Sequence, residues 1–249
     1  FTPADRHLDS LPNVNIPVPK DIFPPRPGKP DWMQKIEHWV PDEDGTPVMN
    51  GGGFTAQTVN TRGIHGNTLN DWVRQYHQGV TAIDEGVGRL LTALRESGQY
   101  DNTLIVFTAD QGIGWGQHGF RVKLAPYDAT IRSPQIISMP SHLPTHTVCK
   151  TPVAGVDLIP TFFHYAQLDL PWKMHGQNLQ PLLLNPGARS NKTALTVMTG
   201  KKYGEDTHVI PTNREDLYIN NVPWWVSLRG GNYKYIRTLV AGETEELYD

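Results

Sequence analysis

TLIVFTADQGIGWGQHGFRVK, residues 103–123, joins a short apolar run to a loop crowded with glycine, one carboxylate, one amide, one histidine and one lysine. The run TLIVFTA, 103–109, is of the kind buried on both faces of a parallel sheet. Asp110 then falls at the carboxyl end of that strand, where α/β sheets place their ligands. Three readings of the loop compete. Gly114-x-Gly116-x-x-Gly119 fits the dinucleotide-binding pattern, but the residues after it contain Pro126 and no long amphipathic face. A pyrophosphate would find no helix N-terminus there, so this reading is rejected. The loop could be a glycine-rich turn that Asp110 caps. Or it is part of a metal and anion site, because a carboxylate beside an amide oxygen suits a hard cation such as Ca²⁺ or Mg²⁺. Asp110 and Gln111 would supply two of its oxygens, with the rest coming from elsewhere, and Lys123 would meet an anionic substrate group.

Outward from the loop, periodicity assigns the neighbouring elements. Upstream, residues 68–98 place Leu69, Trp72, Val73, Tyr76, Val80, Ile83, Val87, Leu90, Leu91 and Leu94 at three- and four-residue steps. That pattern predicts an amphipathic helix, with Thr68 and Asp71 as a capping box and Gly98 as the stop. Its interior glycines, Gly79, Gly86 and Gly88, each cost about 1 kcal/mol of helix propensity, which close packing against another element would explain. Downstream, PQIISMP (134–140) is a second strand, GVDLIPTFFHYAQL (155–168) a helix with Pro160 in its first turn, and ALTVM (194–198) a third strand. This order predicts an α/β layer sandwich. PWWVSLRGGNYKYIRTL, 223–239, reads as a hairpin turned at Arg-Gly-Gly-Asn, within a smaller antiparallel subdomain spanning 191–249. Residues 1–66 form a long Pro/Gly-rich region without periodicity, with nine prolines from Pro12 to Pro47. A stretch of that kind wraps a surface or lines a site.

Composition narrows the function classes. The chain has 249 residues, 38% hydrophobic and 19% charged, with a formal net charge of −3, so no basic field points to nucleic acid. No apolar run reaches the roughly 18 residues of a membrane span. One cysteine excludes an internal disulfide framework. The chain starts without Met and stops at EELYD directly after a strand pattern, so it reads as a piece of a longer protein.

The motif order from 103 to 140 resembles that of the sulfatases of the alkaline phosphatase superfamily, their iduronate-sulfatase-like branch above all. The resemblance runs through Asp110-Gln111-Gly112, Gly116-Gln117-His118-Gly119, Lys123, Tyr127-Asp128 and Arg132-Ser133-Pro134. It extends to the helix bearing Asp84 and Gly88, to VDLIPT, to HGQNLQPLL (175–183) and to GGNYKYIR and EELYD, covering about residues 70–249. Residues 40–66 and 199–222 resemble nothing in the family. The resemblance implies an alkaline-phosphatase-like three-layer α/β sandwich, present in part, with a small antiparallel C-terminal subdomain. Residues 1–190 would then be the C-terminal part of the catalytic domain.

It also implies a site. Asp110 and Gln111 match one pair of ligands to a Ca²⁺ or Mg²⁺ ion, and Lys123 matches the lysine that contacts the sulfate. The nucleophile would be a formylglycine, made from Cys or Ser in C-x-P-x-R, and it would lie upstream together with two further Asp ligands. Cys149 sits in CKTPV, which lacks that order, and reads as a small buried hydrophobe. His118 is a candidate acid or base because histidine titrates near neutrality, but the family's catalytic histidines lie elsewhere, which points to a structural role. Arg132 and Asp128 read as scaffold. His142 and His146 lie in a proline-flanked loop unsuited to a zinc pair, while His65, Lys201, Lys202, His208 and Arg214 could reach a sulfated sugar. Asn191-Lys192-Thr193 is a formal glycosylation sequon.

The parent is therefore expected to hydrolyse a sulfate ester on a carbohydrate or other small molecule. It would be exported or lysosomal, with the N-terminal half of the same protein as partner, and this chain alone would be inactive. A phosphate or phosphonate ester hydrolase of the same superfamily, or a non-catalytic sulfated-glycan-binding relative, is the alternative.

Overall fold

The computed structural model describes residues 3–50, 66–121, 123–188, 190–200 and 209–249. In chain order the elements are β1 (Trp39–Pro41), β2 (Pro47–Met49), α1 (Leu69–Glu96), β3 (Ile105–Thr108), α2 (Asp128–Ile131) and β4 (Gln135–Ser138). They continue with α3 (Leu158–Tyr165), α4 (Gln180–Leu184), β5 (Thr193–Met198), β6 (Tyr218–Ile219), β7 (Val222–Pro223), β8 (Trp225–Gly230), β9 (Tyr233–Thr238) and β10 (Glu246–Tyr248). The chain makes two compact units. The first comprises Phe1–Glu96, Gln111–Arg132 and Asn220–Val222, and the second Ser97–Asp110, Ser133–Ile219 and Pro223–Asp249.

In the first unit α1 begins where its capping box predicts. The Asp71 backbone N–H donates to Thr68 Oγ1 (3.1 Å), while Asp71 Oδ2 accepts from the Thr68 hydroxyl (2.7 Å) and amide (3.3 Å). Gly98, at φ 68°, takes the left-handed position just past the helix end. The first turns of α1 are core: Leu69, Trp72 and Val73 pack with Ile22, Trp39 and Met49. The outer half is not. Val80, Ile83 and Leu90 are exposed, and a Cβ at Gly79, Gly86 or Gly88 would meet nothing within 4 Å. The close packing expected to explain those glycines is therefore absent among the described residues.

The proline-rich segment is irregular yet supplies much of this core. Ile22, Trp32, Met33, Ile36 and Trp39 are all at most 2% exposed. Burying such side chains stabilises by about 2–3 kcal/mol each, which is what holds a segment with so little hydrogen-bonded structure in place. β1 and β2 form a hairpin in register Trp39↔Met49. Asp42 Oδ1 closes its turn by accepting from the amides of Asp44 (3.0 Å) and Thr46 (2.8 Å).

In the second unit β3 pairs β4 antiparallel, Ile105↔Ser138 to Thr108↔Gln135. The expectation of a strand buried on both faces of a parallel sheet is corrected here. The run fixes an apolar strand but not its neighbour's direction, and β3 is half-buried with β4 its only strand partner among the described residues. Asp157, 1% exposed, ties the start of α3 to Gln177 and Lys192 further along the chain. Its carboxylate accepts from the amides of Ala154 (2.8 Å) and Gln177 (2.8 Å), and Lys192 Nζ lies 2.9 Å away.

Four strands close the chain in the order β10-β9-β8-β5, all antiparallel. The β8–β9 hairpin turns at Gly231 (φ 57°), as the Arg-Gly-Gly-Asn signal predicts. Burial alternates with period two, putting Trp225, Ser227, Lys234, Ile236, Thr238 and Glu246 on the covered face. Cys149 is corrected as well: it is exposed, not buried, because residues 141–154 form an irregular surface segment with no helix or strand to cover it. No described helix is long and apolar enough to cross a membrane.

Candidate functional site

The loop 111–121 is folded tightly onto its own unit. Gly112 lies against α2: a Cβ there would stand 2.5 Å from the Arg132 carbonyl oxygen and 2.6 Å from that of Ala129. Only glycine fits, so the glycine of the Asp-x-Gly order is a packing requirement. The Gly116 amide donates to the Phe120 carbonyl (2.8 Å), and the Gly119 amide to that of Gly116 (2.9 Å). Gln117 Oε1 accepts from the Trp115 amide (2.7 Å). α2, a single turn, offers no helix N-terminus to a pyrophosphate, in line with rejection of the dinucleotide reading.

Asp110, exposed, leaves the end of β3, and Gln111, half-buried, opens the loop. Both are oxygen donors and fit two positions of a hard-cation shell, which needs six or more. Among the described residues no group of three His, Cys, Asp or Glu stands ready to hold a metal, so these residues do not by themselves make a closed shell. Lys123 is half-buried in the same loop, two residues past Arg121.

His118 has the most constrained position. Its backbone is left-handed (φ 55°, ψ 22°), a conformation that costs a residue with a Cβ about 1–2 kcal/mol. Asp21 offsets this. Its Oδ1 accepts from the His118 amide (3.1 Å), and its Oδ2 lies 2.5 Å from ring Nδ1. A carboxylate only accepts, so Nδ1 carries the hydrogen. Burial alone would raise the Asp21 carboxyl, but the His118 amide, the imidazole charge and the ring hydrogen bond together hold it below the usual carboxylate range. The His118 ring also lies 4.4 Å from that of Tyr127, which is buried and stacks on Trp32.

Two buried arginines flank the loop. Arg26, 1% exposed, donates to the carbonyls of Asp21 (2.8 Å), Ile22 (2.7 Å) and Met33 (2.6 Å). Arg121, 2% exposed, donates its amide to His38 Nδ1 (3.3 Å), so that nitrogen is bare. Burial, reinforced by the charges of Arg121 and Arg26, lowers His38 to about 4. Asp21, Arg26 and His38 carried no sequence signal, because they sit in the segment without periodicity.

The remaining candidates are dispersed. Arg132 is exposed and 3.7 Å from Asp128, within one turn of scaffold. His142 and His146 are exposed loop residues. Arg214 donates to the Ala241 carbonyl (3.3 Å) and lies 3.6 Å from Glu243. His65, Lys201, Lys202 and His208 lie outside the described residues.

Comparison with known proteins places this arrangement. The sulfatase family model matches residues 32–168, more than half of the chain and the whole of the loop and its flanks. An N-acetylglucosamine-6-O-sulfatase of Bacteroides thetaiotaomicron is 28% identical over 225 residues, 75% of this chain and 40% of that protein. Among solved structures, a protein in complex with its substrate D-glucosamine-2-N,6-O-disulfate superposes on all of this chain and 56% of its own, with a TM-score of 0.75 at 23% identity. A phosphonate monoester hydrolase from Silicibacter pomeroyi covers 94% of this chain and 44% of its own, with a TM-score of 0.66 at 22% identity. The chain thus spans about half the length of the relatives it matches, or less. Its fold is that of part of the alkaline-phosphatase-like α/β sandwich, with the small antiparallel C-terminal sheet. Family model, fold and the order Asp110-Gln111-Gly112, His118-Gly119, Lys123 agree, and the chain belongs to the sulfatase family.

Proposed function

We propose that this chain is part of a sulfuric ester hydrolase acting on a sulfated sugar, with its formylglycine nucleophile encoded upstream of these residues. The observation that carries this is the motif order over 110–123, the same as the family's, together with the close packing of Gly112, Gly116, His118 and Gly119 within their own unit. Asp110 and Gln111 would hold a Ca²⁺ or Mg²⁺ ion, which when bound supplies positive charge beside the sulfuryl oxygens. Lys123 binds a sulfuryl oxygen and offsets charge on the group as the ester bond to the sugar oxygen breaks. Lys123 is half-buried, and an ammonium already in place does this better than a freely solvated one, because little reorganisation is needed when the charge develops. His118 serves the loop's conformation. The glucosamine-based substrates named for two of the relatives support a sulfated amino sugar as the substrate class. Export follows from the same family reading.

The likeness to a phosphonate monoester hydrolase supports a second reading, in which the same lysine and metal face a phosphonate ester. Both are tested by expressing the chain with its flanking coding sequence and comparing kcat/KM on the sulfate and phosphonate monoesters of one phenol. Preference for the sulfate supports the first reading, and preference for the phosphonate the second. Lys123→Ala should lower kcat/KM on the preferred ester by roughly 100-fold, the scale for losing one preorganised donor to a developing charge. Full activity in that variant would remove Lys123 from the site.

A further inference from the structure

Four successive residues before Lys123 are each fixed by a different group from the first 39 residues. His118 is held by both oxygens of Asp21. Gly119, at φ 77°, lies under Arg26, whose Nη2 would be 2.0 Å from a Cβ there. The Phe120 carbonyl accepts from Trp39 Nε1 (3.1 Å), and the Arg121 amide donates to His38 Nδ1 (3.3 Å). Ile22, beside Asp21, packs over Gly116, where a Cβ would meet its Cδ1 at 2.7 Å. Arg26 in turn shapes the strap itself, since its guanidinium bridges the carbonyls of Asp21, Ile22 and Met33 while its own amide and carbonyl are bound by Gln34 (2.8 Å each). An arginine this deeply buried that bonds to carbonyls is spent on fixing backbone.

We propose that Asp21 is a positioning residue for Lys123. Its carboxylate holds the left-handed turn at His118 and thereby sets the exit of the loop that carries the lysine. The proposal rests on the proposed function, in which Lys123 contacts the transferred group. Asp21 bonds to both the amide and the ring of His118, so of these pins it acts most directly on the left-handed turn, while Arg26, Trp39 and His38 act on the three residues after it. Displacement of a catalytic group by about 1 Å can cost 100-fold in rate, so a clamp five residues from the lysine matters to the chemistry.

The test uses the protein with its flanking coding sequence and three variants: Asp21→Ala, Asp21→Asn and Asp21→Ala/Lys123→Ala. Asp21→Asn keeps an acceptor for the His118 amide and guards against loss of the fold. Hydrogen exchange of the peptides spanning 114–124 should quicken in Asp21→Ala, and less in Asp21→Asn, with the peptides of α1 unchanged. On the preferred ester, kcat should fall roughly tenfold to 100-fold with KM little changed, and adding Asp21→Ala to Lys123→Ala should cost nothing further. Unchanged exchange in the loop would overturn the clamp, and so would additive losses, since Asp21 would then act by another route. If Lys123→Ala alone keeps full activity, the functional reading of the lysine fails. The exchange arm still decides whether Asp21 holds the loop.

Discussion

At the scale of single residues, the loop's stability is written in protonation states. His38 is depressed to about 4 in the folded protein, against about 6.5 when unfolded. Between those values the unfolded chain binds more protons, so stability falls as pH drops from about 6.5 to about 4. The loss is at most about 3 kcal/mol by the size of the shift. Asp21 acts lower down. Its folded value lies below 3.8, so its contribution is present above that and is lost as pH falls through the folded value. Urea unfolding at pH 7 and pH 5 should therefore show a drop in the midpoint that His38→Gln largely removes, since a glutamine oxygen still accepts from the Arg121 amide. An equal drop in both proteins would mean that His38 is not the proton-binding group. The residues of the proposed metal and sulfate pattern, Asp110, Gln111 and Lys123, can be singled out from sequence because they are close together and their spacing is itself the signal. Asp21 cannot, because it meets His118 across 97 positions and nothing local in KDIFPP announces it.

At the scale of elements, legibility tracks how local the determinants are. The cap at Thr68, the stop at Gly98 and the turn at Gly231 are each set by residues within four positions, and all three stand where expected. The core of the proline-rich segment was hidden because Trp32, Met33, Ile36 and Trp39 follow neither a helical nor a strand period, and Trp39 finds its partner 81 residues away. The direction of β4 was hidden for another reason: an apolar run reports burial, while direction depends on the path of the chain between strands. The interior of α1 gives a direct test. A Cβ at Gly86 meets open space in a regular helix, so Gly86→Ala should stabilise this 249-residue chain by about 1 kcal/mol, from propensity and the lower entropy of the unfolded state. Thr68→Ala should destabilise it by about 1 kcal/mol through loss of the cap. Chemical denaturation of the two variants checks both. Destabilisation by Gly86→Ala would show that a neighbour approaches α1 there.

At the scale of the whole chain, apolar surface is left open in each unit. In the first it is the outer half of α1, with Val80, Ile83 and Leu90 at 40%, 55% and 68% exposed. In the second it is the outer face of the four-stranded sheet. There Leu195 pairs Leu228, Leu228 pairs Tyr235, and Tyr235 pairs Leu247, so one row crosses all four strands. Leu195 and Leu247 on that row are 63% and 69% exposed, and Val197 beside it is 53% exposed. Single exposed leucines need no explanation, but a registered row across a sheet is a contiguous patch of the kind that drives association. Relatives of this family carry about as much chain again, or more, beyond the part matched here. The 249-residue chain by itself should therefore bind anilinonaphthalene sulfonate and self-associate in a concentration-dependent way on gel filtration. Two changes on the sheet, Leu195→Lys and Leu247→Lys, should reduce dye binding without lowering the unfolding midpoint, because those side chains are already in water. The same pair introduced into the protein expressed with its flanking sequence separates two cases. If the faces are covered there, the lysines destabilise it by about 1–3 kcal/mol, the cost of burying a polar group without a partner. If they are neutral, the row is surface in the longer protein too.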